Sequence, residues 1–264
     1  MATVKEIYEY LDGLAPFNLQ MPFDNAGFLV GRRDREVTKI LVSLDITEEV
    51  AREAAELGAE LVVSHHPVIF HPAKDVTDDT HTGRKLLTLV ENHIAAICAH
   101  TNLDAVAGGV NDALAHKLGL ADIGQLHQDG IDHDGKPYGI GRIGSLAEKQ
   151  TLSDFASFVK TALDSNGVRY VDGGKPVRRV AVGGGSCSDM MENALAHECD
   201  TFVTADVKYD GFLDAKAQGL NLIDAGHFPT ENVVCPVLME WLRKGFPDVE
   251  IVLSKCHHEV FSYL

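Results

Sequence analysis

Apolar residues fall into short, nearly continuous runs separated by stretches of helical periodicity. Lys39–Leu44 (KILVSL) is a β-rich run, Thr47–Leu57 spaces its apolar positions at helical intervals, and Glu60–Ser64 (ELVVS) is a second apolar run. Strand, helix and strand in so short a span predict a parallel pair with the helix packed on the sheet. Thr47 is placed to cap that helix, and Glu48 and Glu49 suit its positive end. The opening segment sets Val4, Ile7, Tyr8 and Leu11 on one helical face and interleaves charges. It lacks the apolar core and cleavage site of a signal peptide, and no apolar run approaches the roughly 18 residues of a membrane span. A soluble, cytoplasmic protein that contacts no membrane is expected.

The same unit recurs. Val180–Gly185 follows the pattern of Ile40–Asp45, a helix over Asp189–Glu198 follows, and the run Thr201–Thr204 then sets Thr204 against Ser64. Further on, Ala96-Ile-Cys-Ala-His100 resembles Ile223-Asp-Ala-Gly-His227, the longer loop Pro67–Thr82 absorbing the difference in spacing. This reads as an internal duplication with two copies. Between them, Gln128–Pro137 is polar and turn-rich, and Tyr138–Gly144 is strand-like, opening the second copy. The expected architecture is α/β, with two similar halves at residues 1–124 and 125–264, the C-terminal segment being free to pack back on the first.

Composition narrows the function. The 264 residues carry 23 Lys and Arg against 39 Asp and Glu, a formal charge of −16. That field repels phosphate backbones, so direct nucleic-acid binding is not expected, and it suits capture of cations. The densest basic pairs, Arg32-Arg33 and Arg178-Arg179, are too few for a nucleic-acid face. Five widely spaced cysteines (Cys98, Cys187, Cys199, Cys235 and Cys256) form no C-x-x-C, which argues against a disulfide framework or a thiolate zinc site and fits a reducing compartment.

Candidate chemistry lies in the 13 histidines. Ser64-His65-His66-Pro67 follows directly on an apolar strand, and ligands of parallel α/β sheets gather at the carboxyl ends of the strands. His100-Thr-Asn-Leu-Asp104 and His227-Phe-Pro-Thr-Glu231 share the form His-x-x-x-carboxylate and occupy the same place in the two copies. Each could instead be a satisfied core imidazole beside a carboxylate that favours a helix N-terminus. Taken together, three or four imidazoles and two carboxylates are the inventory of a two-metal site, where paired divalent ions activate water for hydrolysis. His71, His81, His93, His116, His127, His133 and His197 have no partners at ligand spacing, and His257-His258 reads as tail or strand edge. Gly183-Gly184-Gly185-Ser186 lacks the phosphate-binding glycine patterns and reads as a tight turn.

With these residues in view, the chain resembles the Nif-three-like family of dinuclear-metal proteins, the GTP cyclohydrolase I type 2 homologues. The matching residues are Asp24-Asn-Ala-Gly27, Ser64-His-His-Pro67, His100-Thr-Asn-Leu-Asp104 with Gly108-Gly-Val-Asn-Asp112, Gly183-Gly-Gly185, and Asp224-Ala-Gly-His227 with Glu231. The resemblance implies two intertwined three-layer halves with a metal cleft between them. It also implies two divalent ions per chain on His65, His66, Asp104, His227 and Glu231, with the bridge made by Glu231 alone or by Glu231 and Asp104 together. His100 would lie close by, beside a ligand or against substrate, so Glu231 and His100 are the catalytic candidates. A ring-shaped homohexamer is implied as well. Two departures stand out: Asp210 where the family often has His, and Phe23 where it often has Trp. The expected function is metal-dependent hydrolysis of a nucleotide or phosphoester, and the alternative is a non-catalytic metal chaperone or regulatory adaptor. Imidazole and carboxylate donors suit Zn, Fe, Mn, Co and Ni alike.

Overall fold

The computed structural model describes residues 2–132 and 134–264, so His133 lies outside the described residues. The chain divides into two compact units, Met1–Leu103 with Val234–His258, and Asp104–Val233 with Glu259–Leu264. The chain thus leaves the first unit after Leu103, ahead of the expected boundary at 124/125. The reason is packing: the helix Val110–Lys117 buries Leu114, Ala115 and Leu118 in a core with Leu152, Phe155, Val180 and Val203, all of the second unit.

The first unit is built on a five-stranded sheet in the order Glu250–Leu253, Lys39–Ser43, Leu61–Ser64, Ala95–Cys98, Gly27–Val30. All neighbours are parallel except the last strand, which runs antiparallel to Ala95–Cys98. Every residue of Leu61–Ser64 and of Ala95–Cys98 is buried, as expected of parallel strands covered on both faces. Leu41, Val62 and Ala96 meet Val50, Ala51 and Ala54 of the helix Glu48–Leu57 and Leu86 and Leu89 of the helix His81–Glu91. Thr47 caps the first of these, its hydroxyl accepting the Val50 N–H at 3.2 Å.

The second unit carries a six-stranded sheet in the order Arg169–Val171, Asn221–Asp224, Thr201–Thr204, Val177–Val182, Arg142–Gln150, Ala121–Gln125. Its three parallel strands are Val177–Val182, Thr201–Thr204 and Asn221–Asp224. Alternation along a strand sorts their side chains onto two faces. Val180, Val182, Val203 and Ile223 pack with the helix Leu152–Ala162, whereas Ala181, Phe202 and Leu222 pack with Ala194 and Leu195 of Met191–Ala196 and with Phe212 and Ala215 of Tyr209–Ala217. This unit is therefore helix, sheet and helix in three layers.

The parallel ladders share a register. Ile40 pairs with Leu61 as Val180 pairs with Thr201, and Ser64 pairs with Cys98 as Thr204 pairs with Asp224. The sequence match of Cys98 with Ala225 is thus one residue out of step, because the second exit toward histidine is one residue longer. All five cysteines are free thiols, and among the described residues no helix is long and apolar enough to cross a membrane.

Candidate functional site

In the first unit, His65 and His66 leave the carboxyl end of Leu61–Ser64, and His100 leaves that of the neighbouring Ala95–Cys98. The exit is fixed by backbone bonds, His66 N–H to the Leu44 carbonyl at 2.8 Å and Ala99 N–H to that of Ser64 at 2.9 Å. The Ser64 hydroxyl also donates to the His66 carbonyl at 2.9 Å. Adjacent parallel strands therefore deliver three imidazoles to one place, and one ring nitrogen from each lies within 4.8 Å of the others.

Each of these rings is oriented by an oxygen that can only accept. His65 Nδ1 faces the Ala99 carbonyl at 2.8 Å, His66 Nδ1 faces Asp45 Oδ1 at 2.7 Å, and His100 Nδ1 faces Asp24 Oδ1 at 2.7 Å. The proton must sit on Nδ1 in each, which leaves the lone pair on Nε2, the arrangement that prepares histidine as a metal ligand. Asp24 is itself held from both sides. Burial opposes its ionisation, but hydrogen bonds from His100 and from the hydroxyl and N–H of Thr101 outweigh burial and hold its carboxyl down at about 2.

In the second unit, Asp104 sits in the short helix Thr101–Ala105, and a carboxylate oxygen of Asp104 lies within 4.8 Å of one from Glu231. Glu231 is buried in the helix His227–Glu231. His227 Nε2 faces Glu231 Oε2 at 2.9 Å, and its Nδ1 faces Asp206 Oδ2 at 2.7 Å. An imidazole between two carboxylates marks a position that a proton or a metal ion would satisfy.

The surroundings explain why these groups stand where they do. The Asn111 amide donates to the Asp104 carbonyl at 3.0 Å and accepts the Gly184 N–H at 3.0 Å. Arg142, almost fully buried, donates to the carbonyls of Ala105 and Val106 just past Asp104 and pairs with Asp112 at 2.9 Å. Asp224 takes the N–H groups of Val207 and Gly226 and the Arg169 guanidinium, fixing the turns that carry Asp206 and His227.

The glycine triplet is a tight turn. Its N–H groups are taken by the Val203 carbonyl, Asn111 and Thr230, which leaves no cradle for phosphate. Gly185 lies against Glu231: with φ at +61°, a Cβ there would stand 2.0 Å from Glu231 Oε1.

Nothing in the sequence motifs marks Asp45 and Asp206 as partners of histidines. The available signal was positional, because each follows a parallel strand and orients the histidine leaving the next strand in the sheet. His257 is structural, its Nε2 accepting the Leu44 N–H at 2.9 Å. Phe23, Tyr209 and Asp210 are exposed.

These features define an α/β protein with histidine and carboxylate clusters, set at the carboxyl ends of parallel strands, that could bind metal. A profile of the Duf34/NIF3 (NGG1p interacting factor 3) family matches residues 2–259, and the chain belongs to that family. It is 36% identical over 263 residues to the GTP cyclohydrolase 1 type 2 homolog of Clostridium perfringens strain 13, covering 99% of each chain. Among solved structures, it is similar to the Bacillus cereus protein related to NIF3 (TM-score 0.94, 27% identity, covering 100% of this chain and 99% of that one). It is also similar to Staphylococcus aureus protein SA1388 (TM-score 0.91, 28% identity, covering 100% and 99%).

Proposed function

We propose that this chain is a metal-dependent hydrolase whose two divalent ions are held by His65, His66, Asp104, His227 and Glu231, acting on a nucleotide or a phosphoester. The observation that carries this reading is the common preparation of the imidazoles: His65, His66 and His227 each present Nδ1 to an oxygen acceptor, which directs Nε2 to the task of ligation. The donor set fits the group, since neutral imidazoles and carboxylates are what Zn, Fe, Mn, Co and Ni take. Two carboxylates, Asp104 and Glu231, supply the charge that offsets divalent ions.

A divalent ion held by these residues would supply Lewis acidity for hydrolysis. Asp45 and Asp206 keep the Nδ1 protons of His66 and His227 in place and so fix the orientation of both rings. Glu231 would hold metal through its carboxylate, and the Gly185 turn packed against Oε1 limits the room it has to move. His100 keeps its Nδ1 proton on Asp24 and offers Nε2 to a substrate donor. The name shared by the curated relatives supports a nucleotide substrate. The same reading carries assembly into a homohexamer.

The test is metal content per chain for untagged protein beside His65→Ala and Glu231→Ala, followed by turnover of nucleotides and phosphoesters with Glu231→Gln. Near two equivalents, lost in both alanine variants, with turnover abolished by Glu231→Gln, is the expected result. Metal unaffected by either change would refute the ligand set. Tight metal without turnover of either substrate class would overturn the hydrolase in favour of a metal carrier or adaptor.

A further inference from the structure

The basic pair Arg32-Arg33 plays no part in the metal chemistry, and the structure separates its two members. Arg33 stacks over the rings of Tyr8 and Phe28, with its guanidinium carbon 4.8 and 5.0 Å from their centroids. Arg32 instead joins Arg35, His93, Gly31, Val90 and Ile94 around a cavity of about 620 Å³ in the first unit. A turn closed by the Arg35 N–H on the Arg32 carbonyl at 3.3 Å sets the two arginines on this wall, and His93 and Ile94 follow the end of the helix His81–Glu91.

Three features distinguish the cavity from ordinary solvated surface. No carboxylate is among its described lining residues, although the chain as a whole carries a formal charge of −16. The acidic neighbours Asp34 and Glu36 alternate with the arginines in sequence and are not part of the lining. Neither guanidinium of Arg32 and Arg35 has a hydrogen-bond or ion-pair partner among the described residues, in contrast to Arg84, Arg142 and Arg169, which are all paired. The volume lies within the range of small-molecule sites, and the exposed Val90 adds an apolar contact.

We propose that this cavity binds a phosphomonoester of about nucleotide size, with Arg32 and Arg35 gripping the phosphate, His93 adding a third donor, and Val90 contacting the apolar body. Guanidinium forks match phosphate oxygens in pairs, and two of them suit a dianion better than a singly charged carboxylate. The cavity contains none of the proposed metal ligands, so the inference stands or falls independently of the proposed hydrolase.

The test is calorimetric titration of the full chain with AMP, ribose 5-phosphate and adenosine. It is run on the natural sequence, on Arg32→Gln/Arg35→Gln, and on Arg178→Gln, an exposed arginine of the second unit that lies outside both sites. Both arginines are exposed, so the double variant should keep its melting temperature. Expected are saturable binding of AMP and ribose 5-phosphate, no binding of adenosine, and weakening of both phosphates by about tenfold or more in the double variant. Arg178→Gln should leave these affinities unchanged. No binding into the millimolar range would overturn the proposal. So would affinity unaltered in the double variant, affinity lost equally in Arg178→Gln, or adenosine binding as well as AMP.

Discussion

Replacement of Gly185 by alanine tests whether the glycine turn is what holds Glu231 in place. Gly185 has φ at +61°, and a Cβ added there would lie 2.0 Å from Glu231 Oε1, 2.9 Å from its carboxyl carbon and 3.2 Å from His227 Cε1. Two separable costs follow. The left-handed backbone costs an L-residue about 1–2 kcal/mol. Relieving the overlap requires the buried carboxylate to move by more than an ångström, and overpacking of this kind costs about 1–3 kcal/mol. The sum, about 2–5 kcal/mol, is less than the roughly 5–15 kcal/mol that holds a typical fold together, so the variant should fold. Its melting temperature should fall by roughly 5–15 °C at the usual conversion for a chain of this size. Gly58→Ala provides the control: it follows the helix Glu48–Leu57 with φ at +66° and has nothing within 4 Å of the added Cβ, so only the backbone cost applies. Thermal unfolding and metal content of the two variants, measured side by side, separate the terms. Gly58→Ala should lose a few degrees and keep its metal, while Gly185→Ala should lose more stability and bind metal at least about tenfold more weakly. Equal melting temperatures and equal metal content in the two variants would refute the reasoning.

Three further outcomes follow from the same contacts. Asp45→Asn and Asp206→Asn remove the carboxylates that orient His66 and His227; both should cost about 10–100-fold in metal affinity with little change in melting temperature, and unchanged affinity by competition with a chelator would exclude the orienting role. Arg142→Met strands the Asp112 carboxylate and the carbonyls of Ala105 and Val106. It should cost about 3–5 kcal/mol in denaturant unfolding, and a loss below 1 kcal/mol would show that water replaces the bonds without penalty. Burial, partly offset by Asp45 and reinforced by His66 and His258, lowers the His257 pKa from 6.5 to about 4. The unfolded chain therefore takes up a proton that the fold refuses, so stability is full above pH 6.5 and falls as pH drops toward 4. His257→Gln should flatten that slope in unfolding titrations at stepped pH; an unaltered slope would mean that another group governs it.

Much of this protein is legible in the order of its residues. Apolar runs bounded by polar turns mark the strands Lys39–Ser43, Leu61–Ser64 and Thr201–Thr204, because a strand buried on both faces admits few polar side chains. Thr47 marks a helix start through a bond that spans only three residues. His65, His66 and His100 are also legible, since the carboxyl ends of parallel strands are where side chains leave the sheet together. Tertiary structure decided what depends on neighbours distant in sequence. Asp45 orients His66, Asp24 orients His100 and Asp206 orients His227 because adjacent strands bring them together. The place of residues 104–125 in the second unit was decided by where Leu114 and Leu118 could be buried. Gly185 illustrates the division: its sequence context shows a turn, but only the folded chain sets it against Glu231, because steric exclusion acts between atoms close in space whatever their separation along the chain.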